Sequence, residues 1–324
     1  MAAADVSARD LVDTVVRQAL DATSVEDLAR LTSGASRETW TCTVDGVPVV
    51  VQRQRAGDDR DMSIEADTLR AAGVAGVPVP EVLAFVAGSG GGSTGGAVMI
   101  TRRVTGQTIA RKILRDDNFD SARRVLVAQL GRALARVHRI DPSDVPGLVE
   151  ADPLVTLRER LDQIGQPHPT FELVFKWLDE HRPAPSGRVA VVHGDFRLGN
   201  VIVDRSGLQA VIDWELAHLG DPIEDLGWLC VPAWRFGSQL PAAGVGTREQ
   251  LLAAYADESG TRLDPEVVRW WEVSGILRWG MICVTQAYTH TSGIVRSHEL
   301  AAIGRRVCEN EHDLFLALEG RWSH

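Results

Sequence analysis

The sequence predicts an α+β protein in two lobes, a small sheet lobe over residues 1–104 and a larger, mainly helical lobe over residues 105–324. Three observations carry this. The β-branched runs TWTCTV and VPVVVQRQR flank Asp45-Gly46, a pair that tolerates the positive φ values of a two-residue hairpin turn. After Gly106 the texture turns helical, most clearly over residues 121–139, where Leu126, Leu130, Leu134 and Val137 share one face. Within the helical part, VAVVHGDFRLGNVIVDRSGLQAVIDWE returns to short strands and loops.

In order, Ser7 with Asp10 ahead of Leu11, Val12, Val15, Val16, Ala19 and Leu20 predicts a capped amphipathic helix, and Ser24 with Asp27 a second, short one. Residues 62–72 read as a helix, VPVPEVLAFV as a strand interrupted by prolines, and AVMITRRV as a further strand. GSGGGSTGG, residues 88–96, reads as a flexible hairpin loop, since nothing places its glycines ahead of a helix. No G-x-x-x-x-G-K-[ST] run occurs, which excludes a Walker-type site. Residues 154–182 predict one or two helices, and the chain is helical again from about residue 247.

Composition narrows the function. A formal charge of −10 has the wrong sign for a chain whose main partner is nucleic acid. Cys42, Cys230, Cys283 and Cys308 lie far apart with no C-x-x-C pair, so they predict buried free thiols rather than a zinc site or a disulfide framework. The first residues lack a basic segment followed by an apolar run, and no stretch approaches the roughly 18 apolar residues of a membrane span. The expectation is a cytoplasmic protein without a membrane partner.

The chemistry concentrates between His193 and Asp213. The runs VIVD and LQAVID should pair as a hairpin. With Ser206-Gly207 as a two-residue turn, Arg205 faces Leu208 and Asn200 faces Asp213, their Cβ atoms roughly 4.5–5.5 Å apart. A three-residue turn instead sets Ile212 opposite Asn200. An amide oxygen and a carboxylate brought together suit a hard cation such as Mg²⁺, which keeps water or phosphate as its other ligands. Asp195, in the loop entering the first strand, is free to face a substrate.

HGDFRLGN resembles the H-x-D-x-x-x-x-N catalytic loop of the kinase fold, and IDWE stands where that fold carries its D-F-G metal motif. The H-G-D form with D-W-E is similar to the aminoglycoside phosphotransferase and choline kinase branch of small-molecule kinases. VIDWELAHLGDPIEDLGWLC is similar, more closely, to phosphotransferase-family proteins related to the kinase-like domain of certain acyl-CoA dehydrogenases. The likeness spans residues 25–300 and is diagnostic over 193–230. It implies a protein-kinase-like two-lobe fold and Mg²⁺-dependent transfer of the terminal phosphoryl group of ATP, or GTP, to a hydroxyl of a small metabolite or antibiotic.

The resemblance also implies roles. Asp195 would accept the acceptor hydroxyl's proton or orient that hydroxyl, and Asn200 and Asp213 would hold Mg²⁺ on the nucleotide phosphates. His193 would support the loop, and Asp225 would hydrogen-bond its backbone. Family members pair a strand cation with a helix glutamate. Glu65, in MSIEADTL, fits the glutamate, but no lysine precedes Lys112. Alternation separates Val49, Val51 and Arg53 from Val50, Gln52 and Gln54. Arg53 is the candidate cation on charge and would pair bidentately with Glu65, whereas alignment with related proteins puts Gln52 at that position.

Ser36, with neighbouring amides of SGASRETW, would cover the phosphates, and the backbone around Arg102 and Val104 would meet the purine. Trp270, Trp271, Trp279 and Tyr288 either line the acceptor pocket or belong to the core. Glu215 and Asp221 either meet a cationic acceptor or cap the next helix. A nucleotide-binding module without turnover is the second reading: the missing strand lysine favours it, and the complete set Asp195, Asn200 and Asp213 opposes it. Only 11 residues separate Asp213 from Asp225, too few for the activation loop of a protein kinase.

Overall fold

The computed structural model describes residues 3–31, 37–55, 57, 58, 60–88, 96–150, 152–184 and 186–321. Helix α1 (Ala3–Leu20) leads into strands β1 (Val25–Arg30), β2 (Arg37–Val44) and β3 (Val47–Gln54). Helix α2 (Met62–Val74) then precedes β4 (Val82–Val86) and β5 (Val98–Arg102). The five strands form one antiparallel sheet in the order β1-β2-β3-β5-β4. Asp45 and Gly46 make the β2–β3 turn with φ of 46° and 82°, as the dipeptide predicts.

The short helix expected at Ser24 and Asp27 is instead strand β1. The backbone N–H groups of Thr23 and Ser24 and both their hydroxyls donate to the Asp45 carboxylate, at 2.6–3.2 Å. Ser24 is thus spent on the neighbouring turn rather than on a helix N-terminus. Asp27 takes a φ of 52°, within the irregular pairing between Glu26 and Ala29. The loop of residues 88–96 lies largely outside the described residues.

The sheet has two differently used faces. Val12, Val15 and Val16 of α1 bury against Trp40, Val49, Val51 and Ile100. On the opposite face Met62 and Ala66 of α2 pack on Ala97 and Met99. The C-terminal half of α2, through Leu69 and Ala72, joins the core of the second lobe. This helix is thus fixed to both lobes at once.

The second lobe runs through α3 (Ala110–Arg115), α4 (Asp120–Val137), α5 (Pro153–Ile164) and α6 (Pro169–Glu180). Four short strands follow: β6 (Ala190–Val192), β7 (Val201–Asp204), β8 (Gly207–Val211) and β9 (His218–Gly220). The lobe closes with α7 (Ile223–Cys230), α8 (Arg248–Ser259), α9 (Pro265–Thr291), α10 (His298–Gly304) and α11 (Val307–Leu318). β7 pairs with β8 and β6 with β9. Gln107 exchanges backbone hydrogen bonds with Val203, at 2.8 and 3.0 Å, which anchors the inter-lobe connector on β7. Among the described residues no helix is long and apolar enough to cross a membrane.

Helix α9 is the spine of this lobe, and α7 packs on it so closely that a Cβ on Gly227 would lie 2.5 Å from the backbone of Trp271. Next to that contact, the fully buried Glu272 accepts from Arg235 at 2.7 Å and from Arg248 through two bonds of 2.8 Å. Removing the carboxylate leaves two guanidinium groups buried without their counter-charge. Glu272→Ala is therefore expected to lose about 3–5 kcal/mol of stability, read as a lower urea midpoint at unchanged slope.

Candidate active site

The loop from His193 to Asn200 is held from below by Asp225 of α7. Its carboxylate is fully buried and accepts from the backbone N–H groups of His193 (2.8 Å) and Gly194 (3.0 Å), with His138 Nε2 at 3.2 Å. Burial opposes ionisation of Asp225, but His138 and these amides outweigh it and hold the pKa below the usual carboxylate range. Gly194 has a φ of 79°, and a Cβ there would lie 2.3 Å from the carbonyl oxygen of Leu216. Only glycine lets the chain turn this tightly.

His193 is buried. Its Nδ1 accepts from the Asp195 N–H at 3.2 Å, which leaves Nε2 to donate to the Ile212 carbonyl at 3.1 Å. Burial lowers its pKa and keeps it neutral. It is thereby a brace between the loop and the strand that leads to Asp213. The carboxylate of Asp195 lies above this brace. It accepts from Trp228 Nε1 (2.8 Å), from Arg197 Nε (3.1 Å to each oxygen) and from Asn200 Nδ2 (2.6 Å).

Of the two pairings left open for Asn200, the structure has Ile212 and not Asp213 opposite it, although through a two-residue turn rather than a three-residue one. Val201 pairs with Val211 and Asp204 with Gly207, with an irregularity between Ile202 and Val203. The Ile212 N–H donates to the Asn200 carbonyl at 3.0 Å, so Ile212 stands opposite Asn200 and Asp213 is one residue beyond. The cause is an Asx turn: Ser206 N–H and hydroxyl both donate to Asp204 Oδ1, moving the turn to Arg205-Ser206. Gln209 is the extra residue, and its amide donates to the same oxygen. Asp213 then takes a φ of 68°, a left-handed conformation that Asp tolerates better than most residues.

Asp213 has its pKa pushed up to about 6, by burial first and then by the charges of Glu215 and Asp195. Burial and these acids outweigh the positive charges of Arg197 and Arg37 that act on it, which is the condition a divalent cation relieves. The Asn200 amide N–H₂ is spent on the carbonyl and carboxylate of Asp195, so its oxygen is the atom left to serve as a ligand. One amide oxygen and one carboxylate fit a magnesium ion that takes its remaining ligands from phosphate and water.

In the sheet lobe, Glu65 is 5% exposed and faces Arg37, not Arg53. Arg53 lies on the α1 side of the sheet with Val49 and Val51, directly opposite Glu38 in register, and donates to it at 2.8 and 3.1 Å. The alternation itself excludes an Arg53–Glu65 pair, because α2 lies on the other face. Gln52 is on the α2 side. Arg37, at the start of β2, reaches Glu65 there and lies 3.8 Å from Glu215, which also meets Arg60 at 3.0 Å. Burial drives the Glu65 pKa up to about 7 despite this partner.

The remaining candidates are placed as follows. Arg102 is exposed and pairs with Glu81. Val104 is half-buried in the connector, and no backbone hydrogen bond within the described residues engages it. Ser36 lies outside the described residues. Asp221 caps α7 through the Ile223 N–H at 2.9 Å. Trp270 and Trp271 are core residues, and Tyr288 is exposed.

Two residues beside Asp195 escaped the sequence reading. Trp228 is three positions after Asp225, so one face of α7 presents both to the loop. Arg197 lies two positions after Asp195 and also covers the Trp234 ring, 5.0 Å from its centroid. Trp234 in turn packs between Trp228 and Trp279, at 5.1 and 4.9 Å. The sequence signals were the i, i+3 spacing in EDLGW and a cation two places after the loop's acid.

The sequence model of the phosphotransferase enzyme family matches residues 27–271. Mouse acyl-CoA dehydrogenase family member 10 is 25% identical over 262 residues, covering 73% of this chain and 22% of that protein. Mouse family member 11 is 30% identical over 113 residues, 32% of this chain and 14% of its length. The chain thus matches less than a quarter of the length of these relatives. Among solved structures, a Ralstonia eutropha JMP134 protein with the provisional name aminoglycoside phosphotransferase superposes with a TM-score of 0.75 at 19% identity, covering 96% of this chain and 98% of that one. Macrolide 2'-phosphotransferase MphH from Brachybacterium faecium gives 0.61 at 18%, covering 91% and 96%. A ternary complex of aminoglycoside phosphotransferase APH(4)-Ia with AMP-PNP and hygromycin B gives 0.62 at 19%, covering 93% and 97%.

Proposed function

Because the chain belongs to the phosphotransferase enzyme family, we propose that it moves the terminal phosphoryl group of ATP or GTP to a hydroxyl of a small molecule, with Mg²⁺. The observation that carries this is the clustering of Asp195 and Asn200, on a loop braced by His193 and Asp225, with Trp228 of α7, and with the charge of Asp213 acting on the same spot. Structural neighbours hold AMP-PNP with hygromycin B, or ATP with streptomycin, which supports the pairing of a nucleotide with a hydroxylated acceptor.

In this reading residues 1–104 cover the nucleotide and residues 105–324 supply the catalytic loop and the acceptor side. Asn200 and Asp213 would hold the metal, which would supply positive charge against the phosphates. Asp195 orients the acceptor hydroxyl and takes its proton as that oxygen bonds to the terminal phosphorus and the bond from this phosphorus to the departing nucleoside diphosphate breaks. Trp228 and Arg197 fix the Asp195 carboxylate for that task. Phosphoryl transfer requires little covalent chemistry from the protein and much positioning, which suits a carboxylate already restrained by three donors. The backbone at Arg102 and Val104 meets the purine.

The test is release of nucleoside diphosphate on a panel of hydroxylated metabolites and antibiotics, with and without Mg²⁺. Release that needs both the metal and a particular acceptor supports the proposal. The second reading, a nucleotide-binding module without turnover, is favoured by Gln52 at the strand position where related proteins carry a cation. It predicts tight nucleotide binding with no acceptor-dependent release.

A further inference from the structure

Gln52 leaves the α2 face of β3 without a charge, yet a guanidinium occupies that face from the next strand. In the β2–β3 register Arg37 stands opposite Gln54 and Thr39 opposite Gln52. Arg37 and Gln52 are therefore diagonal neighbours on one face, roughly 7–8 Å apart at Cα, a span that an arginine side chain covers. We infer that Arg37 supplies the phosphate-facing positive charge that β3 lacks, so that the cation of the nucleotide site has moved one strand across the sheet. This rests on the nucleotide-dependent transfer proposed above and names a residue within that site.

Four observations converge on it. Arg37 is 6% exposed, and such burial is unusual for arginine without a purpose in pairing or binding. It faces Glu65 of α2, the helix glutamate against which a strand cation is expected, as a close ion pair. Its other terminal nitrogen points to Glu215, two residues after Asp213, so one guanidinium joins the sheet lobe to the segment carrying the candidate metal ligand. Its Nε has no hydrogen-bond partner among the described residues. A planar, permanently charged fork with a spare donor is suited to phosphate oxygens.

Gln54 shows how the surroundings are built for this. Its amide donates to the Asp58 and Arg60 carbonyls, both at 2.7 Å, and so fixes the loop that brings Arg60 to Glu215. With Arg60 beside it, Glu215 keeps a counter-charge when Arg37 turns toward phosphate. Arg53, held by Glu38 on the far face, cannot take this place without crossing the sheet.

The test is calorimetric titration of AMP-PNP or GMP-PNP with Mg²⁺, whichever the wild-type chain binds, and of the matching nucleoside, which has no phosphates. Arg37→Gln is expected to weaken the phosphate-bearing ligand about 10–100-fold, the scale of one charged hydrogen bond, and to change nucleoside binding less than about twofold. Moving the charge back, in Arg37→Gln/Gln52→Lys, should recover most of that loss. The same titration in Arg37→Gln/Glu65→Gln, where no buried carboxylate stands alone, separates a binding effect from misfolding and should give the same weakening. Equal affinity in wild type and Arg37→Gln overturns the inference, as does an equal loss of nucleoside and nucleotide. A wild-type chain that binds neither ligand overturns the nucleotide reading and this assignment with it.

Discussion

Asp195→Asn is expected to lower kcat by about 10²–10⁴-fold while the KM for nucleotide stays within a few-fold of wild type. Asparagine keeps the size of the side chain and one oxygen able to accept from Trp228 Nε1. It loses the charge, the proton affinity and the second acceptor that Asn200 and Arg197 share. The loss should therefore fall on the chemical step. Trp228→Phe removes a single donor to the same carboxylate and should cost less, which orders the two variants in one assay. Similar kcat values in Asp195→Asn and wild type would remove Asp195 from the proton-transfer role.

Asp213→Asn combines a loss and a gain. Turnover at a fixed Mg²⁺ concentration is expected to fall about 10²–10³-fold, as when one preorganised charge-stabilising group is removed from a reacting centre. Stability of the metal-free, nucleotide-free chain is expected to rise. The folded-state pKa of Asp213 is raised from 3.8 to about 6, so between those values the folded chain holds a proton that the unfolded chain has released. Stability contributed by this group is present below about pH 4 and is lost as pH rises through about 6. At pH 7 the asparagine variant escapes that penalty, on the order of 3 kcal/mol. Chemical denaturation at pH 5 and pH 7 in a chelator should find wild type and variant further apart at pH 7. A variant both active and less stable would contradict the role given to Asp213.

The parts legible in the sequence were those whose chemistry is local along the chain. HGDFRLGN and IDWE carry their spacing in a single stretch, and the two-lobe α+β fold followed from where the strands stop. The hairpin register stayed open between two pairings of Asn200 because Ser206-Gly207 and Asp204-x-Ser206 are rival turn signals, and the side chain of Asp204 decides between them only in the folded hairpin. Ser24 misled for the same reason: its hydroxyl suits a helix cap and equally a distant carboxylate, and Asp45 is that carboxylate. Arg53 was preferred over Gln52 on charge, although period-two alternation already put it with Val49 and Val51. What the pattern could not tell is which face α2 covers. Arg37 was unreadable because a long side chain carries its charge to a neighbouring strand, and that strand is far away in sequence from Glu65.

The central claim is that a phosphoryl group passes from nucleotide to an acceptor hydroxyl through the site around Asp195. The most direct measurement follows γ-³²P from labelled ATP, or GTP, in the presence of Mg²⁺ and the hydroxylated panel. The predicted result is label on one class of organic acceptor, equal in amount to the nucleoside diphosphate formed, in wild type and not in Asp195→Asn. Nucleotide that binds wild type but yields no labelled acceptor, or label transfer that persists unchanged in Asp195→Asn, would contradict it.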